Sequence, residues 1–155
     1  MNPTYPLPPI EDLLPHRGTM LLLDRVIDFA GASAATECVP RSDAWYADGQ
    51  GNMPAWIGIE LMAQTVATHV GLQKRAEGLP PKHGALLGTR SYRSAVPSFQ
   101  AGETLHICAT LLFRDTGGFS AYDCNIARGG EEIATATVKV FEAEDFQSLL
   151  YGNST

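Results

Sequence analysis

One segment of the chain reads PAWIGIELMAQTVATHVGLQKRA from Pro54 to Ala76. A proline suits the first turn of a helix, because its missing N–H group would lack an acceptor there in any case. The segment ends at the turn-forming residues 78–81. Apolar side chains lie on nearly all sides of this predicted helix, and they are Trp56, Ile57, Ile59, Leu61, Met62, Val66, Val70 and Leu72. A helix of this kind must be covered on most sides by the rest of the fold.

Strand-like patterns lie on both sides of the helix. The predicted strands are residues 20–29, 33–40, 84–93, 103–114, 119–128 and 131–142, and a short helix is predicted at 144–150. Glycine-containing turns link the later strands as hairpins, which makes those strands antiparallel. We therefore predict an α+β fold in which an antiparallel sheet wraps around one long helix. The open edges of such a sheet predict pairing with a second copy.

Composition limits the function classes. The 155 residues suit one domain spanning 1–155, with a core at about 9–142. A net charge of −6 argues against a nucleic-acid partner bound over a broad surface. We expect no membrane span, no signal peptide, no metal site and no cofactor. The three cysteines predict buried, reduced thiols and a cytoplasmic location.

Glu60 is the polar residue that stands out on the apolar helix. A buried carboxyl group must be paired, hydrogen-bonded or protonated, and a protonated one can donate a proton. Gln64 lies four residues further on, over the same helix face and within hydrogen-bonding reach. The alternative is structural, with Glu60 capping the helix start or pairing with an arginine across an interface.

The four histidines differ in their setting. His69 lies about 180° around the helix from Glu60 and is predicted to be packed or at an interface. His83 and His106 are predicted to be structural. His16 follows Pro15 in a glycine-containing turn, where it is either a general base or a hydrogen-bonding turn residue, and the local chemistry favours the turn role.

Two blocks resemble the bacterial 3-hydroxyacyl-acyl carrier protein dehydratases. LLPHRGTMLLLDRV at residues 13–26 is similar to their N-terminal signature, and residues 54–64 are similar to the start of their central helix. The resemblance covers residues 9–142 and implies the hotdog fold. It also implies that Glu60 is the acidic catalytic residue and Gln64 its neighbouring glutamine.

The chain departs from the family pattern just before the helix. The family carries its catalytic histidine there in a Gly-His-Phe-Pro-Gly type segment, whereas residues 45–53 of this chain read WYADGQGNM. The resemblance leaves the base open among His16, Asp48 and a residue of a partner chain. Ala55 stands where the family has a glycine, and the N–H groups near Ala55 and Trp56 are implied to bind the thioester oxygen.

The overall pattern looks most like the divergent subgroup of aryl polyene (polyketide-type) biosynthesis. This implies dehydration of acyl carrier protein thioesters in fatty acid or polyketide synthesis, by a homodimer or by a heterodimer with another hotdog dehydratase. Two alternatives stay open. The chain is a catalytically degenerate subunit beside an active partner, or it is a thioesterase that releases free acid.

An acidic carrier protein is implied as a partner and predicts a locally basic docking site. The best cluster in the sequence is Lys74, Arg75, Lys82, Arg90 and Arg93. The alternative is that these residues form a solvated face.

Overall fold

The computed structural model describes residues 7–79 and 84–142. It contains one long helix, α1 (Gly58–Ala76), and three short 3-10 helices (Ile10–Asp12, Gly18–Met20 and Ala55–Ile57). The strands are β1 (Arg25–Ala30), β2 (Ser33–Cys38), β3 (Met53–Pro54), β4 (Gly84–Ser94), β5 (Ser98–Phe99), β6 (Leu105–Arg114), β7 (Phe119–Arg128) and β8 (Glu131–Glu142). Lys82, His83 and the helix predicted at 144–150 lie outside the described residues.

The main sheet has six strands in the order β1-β2-β6-β7-β8-β4, and every neighbouring pair is antiparallel. Helix α1 contacts all six of these strands. Its apolar side chains Leu61, Met62 and Val66 are fully buried against Tyr122 and other sheet residues. The structure therefore confirms the predicted α+β hotdog architecture, and β1 and β4 form the two edges of the sheet.

Two predicted boundaries are wrong for the same reason. The first strand was expected from Met20 but begins at Arg25, since Gly18–Met20 forms a 3-10 turn and Leu22 donates its N–H to Gln64 on the helix. The helix was expected to begin at Pro54 but starts at Gly58, after another 3-10 turn. In both places a contact with a residue distant in sequence fixes the local conformation, since Leu22 is bonded to Gln64 and Ala55 is bonded to Pro97.

His69 is fully buried, as the prediction of a packed histidine requires. Its Nε2 lies 2.7 Å from the carbonyl oxygen of Gly31, which can only accept, so Nε2 carries the proton. Nδ1 then accepts a hydrogen bond from the Tyr122 hydroxyl at 2.7 Å. The neutral ring thus joins α1 to β7 and to the turn between β1 and β2.

Protonation of His69 should destabilise the fold. Burial lowers the pKa of His69 below its ordinary value of 6.5, and the charge of Arg114 acts in the same direction. This contribution to stability is complete above about pH 6.5 and is lost as the pH falls towards the lower folded-state pKa. His69→Phe should lower the free energy of unfolding by about 1–3 kcal/mol at neutral pH, because hydrogen bonds are lost. The free energy of unfolding of this variant should also change less with pH than that of the wild type.

Urea unfolding at a series of pH values measures both effects. His106→Gln serves as the control, because the His106 side chain is about half exposed on β6. Parallel stability-versus-pH curves for the wild type and His69→Phe would contradict the account.

The cysteine thiols are shielded. Burial raises the pKa of Cys38 and of Cys124 to about 12, so neither forms a reactive thiolate at neutral pH. All three cysteines are free thiols, as predicted, but Cys108 is half-buried and not fully buried as expected. Among the helices of residues 7–79 and 84–142, none combines the length and apolarity that crossing a bilayer requires.

Candidate active site

Gln64 organises the start of the helix. Its side-chain nitrogen donates to the carbonyl oxygen of Met20 at 2.8 Å and to Glu60 Oε1 at 3.0 Å. Its side-chain oxygen accepts the N–H of Leu22 at 3.0 Å. All donor and acceptor groups of this fully buried amide are therefore engaged. The predicted contact between Glu60 and Gln64 is present, and it holds the carboxylate in a fixed direction.

Glu60 itself is not buried as the sequence suggested. Its side chain keeps 42% of its surface exposed in the single chain. It lies on the first turn of α1, so one carboxylate oxygen is anchored to Gln64 while the group remains open to solvent or substrate. This arrangement leaves Glu60 able to exchange a proton with a bound molecule.

His16 lies beside Glu60. Its Nε2 is 3.6 Å from Glu60 Oε1, and its side chain is 26% exposed. The other ring nitrogen, Nδ1, is buried and has no hydrogen-bond partner among the described residues. Arg17 braces the turn by donating to the carbonyl oxygens of Leu14 and His16 at 2.6 and 2.7 Å. His16 therefore occupies the predicted turn and also joins a pair of groups able to accept and donate protons.

One backbone N–H group at the helix start, that of Ala55, is already hydrogen-bonded within the protein. The Ala55 N–H, predicted to bind the thioester oxygen, donates instead to the carbonyl oxygen of Pro97 at 3.0 Å. Trp56 follows in the 3-10 turn that leads into α1. The first N–H groups at the start of a helical segment lack acceptors within it. Its side chain is 63% exposed.

A tyrosine that the sequence analysis did not single out also reaches this turn. The hydroxyl of Tyr92, on β4, donates to the carbonyl oxygen of Ala55. One signal did exist, because a glycine near the start of an apolar helix marks a close approach by another group. A Cβ atom on Gly58 would overlap that same hydroxyl.

Asp48, predicted as a base or substrate-binding residue, makes hydrogen bonds within its own loop. Its Oδ1 accepts the N–H groups of Gln50 and Asn52 at 2.9 and 3.0 Å. The exposed carboxylate thereby closes the loop that precedes β3. These two hydrogen bonds are typical of an aspartate that stabilises a turn.

The predicted basic cluster separates into two parts. Arg90 and Arg93 are exposed on β4 and flank Tyr92, so they lie near the start of the helix. Lys74 and Arg75 are in its last turn. At ~1.5 Å per residue, the two ends of α1 are about 27 Å apart.

A cleft of about 380 Å³ lies beside the segment that leads to β1. Its wall includes Thr19, Leu22, Arg41, Trp45 and Tyr46, but not Glu60. The Trp45 indole N–H donates to the carbonyl oxygen of Thr19 at 2.9 Å. The cleft wall thus includes Leu22, whose N–H is bonded to Gln64, while Glu60 is not part of that wall.

Comparison with known proteins identifies the family and the fold. A family model described as ApeP dehydratase matches residues 8–151. No curated protein matches the chain. Among solved structures, the dehydratase heterocomplex ApeI:P from Xenorhabdus doucetiae superposes with a TM-score of 0.86 at 25% identity, covering 95% of this chain and 100% of that chain.

More distant structures share the fold alone. A hypothetical thioesterase with coenzyme A from Streptococcus pneumoniae has a TM-score of 0.60 at 14% identity, over 76% of this chain and 84% of its own. The E. coli PaaI protein from the phenylacetic acid degradation operon has a TM-score of 0.59 at 14% identity, over 75% of this chain and 80% of its own. The family match spans most of the sequence, and the chain therefore belongs to the ApeP-like dehydratase family.

Proposed function

We propose that this chain dehydrates 3-hydroxyacyl thioesters carried by an acyl carrier protein, with His16 as the base and Glu60 as the acid. The observation that carries the proposal is the 3.6 Å contact between these two side chains of one polypeptide. A distance slightly longer than a hydrogen bond is common in sites without substrate. His16 is favoured as the base because its ring lies beside Glu60, whereas the described contacts of the Asp48 carboxylate are with its own loop.

His16 and Glu60 can together perform the two proton transfers that the dehydration requires. His16 Nε2 removes the C2 proton of the thioester, and the electron pair of that C–H bond forms the C2=C3 double bond as the C3–O bond breaks. Glu60 gives its proton to the departing hydroxyl group, so that water and a trans-2-enoyl thioester leave. The direct contact between His16 and Glu60 then lets the proton return from the imidazolium to the carboxylate.

Partial negative charge develops on the thioester oxygen in the transition state as the C2 proton leaves, and this charge needs a hydrogen-bond donor. We assign the Trp56 N–H, since the Ala55 N–H is donated to Pro97. The positive end of the α1 macrodipole favours the same charge. In mutagenesis of other enzymes, one such donor typically contributes a factor of about 10²–10³ in kcat.

A second hotdog subunit completes the assembly in this proposal. The relative of known structure is described as a heterocomplex. Large apolar side chains around the site are exposed in the single chain, namely Met20 at 59%, Trp45 at 56% and Trp56 at 63%. Exposed apolar surface of this kind typically marks a protein contact or a ligand site.

The product identifies the reaction. The purified chain, alone and mixed with a hotdog dehydratase partner, is incubated with a 3-hydroxyacyl thioester on an acyl carrier protein, and the products are resolved by mass spectrometry. The proposal predicts the enoyl thioester, formed by loss of water. Release of the free 3-hydroxy acid would make the chain a thioesterase, and an unchanged substrate in both incubations would refute the proposal.

Carrier docking is expected beside the helix start. We propose that Arg90 and Arg93 attract the acidic carrier, because they are exposed close to the turn that holds Ala55. Charge reversal of both arginines to glutamate should weaken carrier binding by roughly tenfold at low salt, and added salt should reduce the difference.

Binding is measured by titrating labelled carrier protein into each variant. Arg75→Glu is the matched control, since that arginine is also exposed but lies at the other end of the helix. Equal weakening by Arg75→Glu would indicate a general charge effect and contradict a local docking site.

A further inference from the structure

We propose that Tyr92 positions and polarises the peptide group that binds the thioester oxygen. This inference rests on the proposed function. The Tyr92 hydroxyl donates to the carbonyl oxygen of Ala55, and that carbonyl belongs to the same peptide group as the Trp56 N–H. A hydrogen bond accepted at one end of a peptide group strengthens the donor at its other end. Tyr92 thereby acts on the substrate through the backbone, without touching it.

The backbone of β4 is shaped to deliver this tyrosine. The strand carries a bulge between Arg90 and Arg93, which pair with Thr137 and Thr135 of β8. Ser91 within it has φ +56°, and it is the non-glycine residue with positive φ in the described part of the chain. A bulge inserts one extra residue and re-aims a side chain. Here both arginines remain exposed while the Tyr92 ring is partly buried against the core.

The helix start is shaped to receive it. Gly58 lacks the Cβ atom that would overlap the Tyr92 hydroxyl. The Gly58 N–H also donates towards the carbonyl oxygen of Ala55, so that this oxygen accepts from two sides. Burial raises the pKa of the Tyr92 phenol, which keeps it a protonated donor throughout the physiological range. The Ala55 N–H donates to Pro97, so both the N–H and the carbonyl group of Ala55 are hydrogen-bonded.

Two variants remove this hydrogen bond by different routes. Tyr92→Phe keeps the ring but lacks the hydroxyl, and Gly58→Ala pushes the hydroxyl away from Ala55. Each should lower kcat about tenfold with KM changed less than about threefold, since the lost hydrogen bond acts mainly on the charged transition state. In the Tyr92→Phe background, Gly58→Ala should cost less than about threefold, because the two changes remove the same interaction.

Tyr122→Phe is the matched control, because it likewise removes a donated hydroxyl hydrogen bond, here the one to His69 in the core, and does not touch the helix start. Each variant is assayed in the assembled complex, with its melting temperature as a check on folding. The second readout is the infrared stretching band of a saturated acyl thioester, which has no 3-hydroxyl group and therefore does not react. The band should move to lower frequency on binding to the wild type and move less on binding to Tyr92→Phe.

Unchanged kcat and an unchanged carbonyl band in Tyr92→Phe would overturn the inference while leaving the dehydratase intact. A lower melting temperature with the same band would likewise overturn it, since Tyr92 would then be purely structural. Fully additive effects of the two substitutions would show that they act on separate interactions and would also contradict it. A wild-type complex that neither forms enoyl product nor shifts the band would remove the proposed function itself.

Discussion

Replacing Glu60 with glutamine is expected to lower kcat for dehydration by roughly 10²–10⁴-fold, the range that general acid catalysis supplies. Glutamine has nearly the same shape and keeps a side-chain oxygen that can accept the hydrogen bond from Gln64. It cannot give a proton to the departing hydroxyl group. The fold should therefore survive while the reaction does not.

The measurement is steady-state formation of the enoyl thioester, with circular dichroism as a check on the fold. Glu132→Gln is the matched control, because it removes an exposed carboxylate on β8. Turnover by Glu60→Gln within a few-fold of the wild type would mean that another group supplies the proton.

Replacing His16 with glutamine is expected to have a loss of similar size, roughly 10²–10⁴-fold in kcat. Without the imidazole the pair lacks its base, because Glu60 must hold its own proton in order to act as the acid. The proton return to Glu60 is also lost. If both residues act as one unit, combining the two substitutions should cost little more than the worse of the single ones.

His106→Gln is the control for this prediction, since it removes an exposed histidine on β6 that lies against Glu37 rather than Glu60. The same kinetic assay applies to the single and double variants. Losses that multiply in the double variant would indicate that His16 and Glu60 act independently, which contradicts the proposed proton cycle.

Local patterns predicted much of the fold and one contact of the site. The apolar helix required a covering sheet, and the spacing of Glu60 and Gln64 placed their side chains together. Both inferences depend on the helical repeat, which acts over a few residues. The resemblance added the catalytic assignment of Glu60, which stays a proposal.

Local sequence patterns could not predict contacts between residues that are distant in the sequence. The turn that contains His16 looked like a local structure, and its meeting with Glu60 depends on how Gln64 holds the intervening segment. Glu60 proved half-exposed, because its exposure is set by what covers the helix start and not by its sequence neighbours. The described members of the basic cluster separated because Lys74 and Arg75 lie in the last turn of α1, whereas Arg90 and Arg93 lie on β4 near the start of the helix.

Assembly with the second hotdog subunit allows the most direct measurement. The partner's own catalytic histidine and carboxylate are replaced, the complex with this chain is formed, and production of enoyl thioester is followed. If this chain carries a working acid and base, product still forms, and adding Glu60→Gln stops it. If no product forms once the partner is disabled, the partner's residues catalyse the dehydration and this chain has only a structural role in the complex.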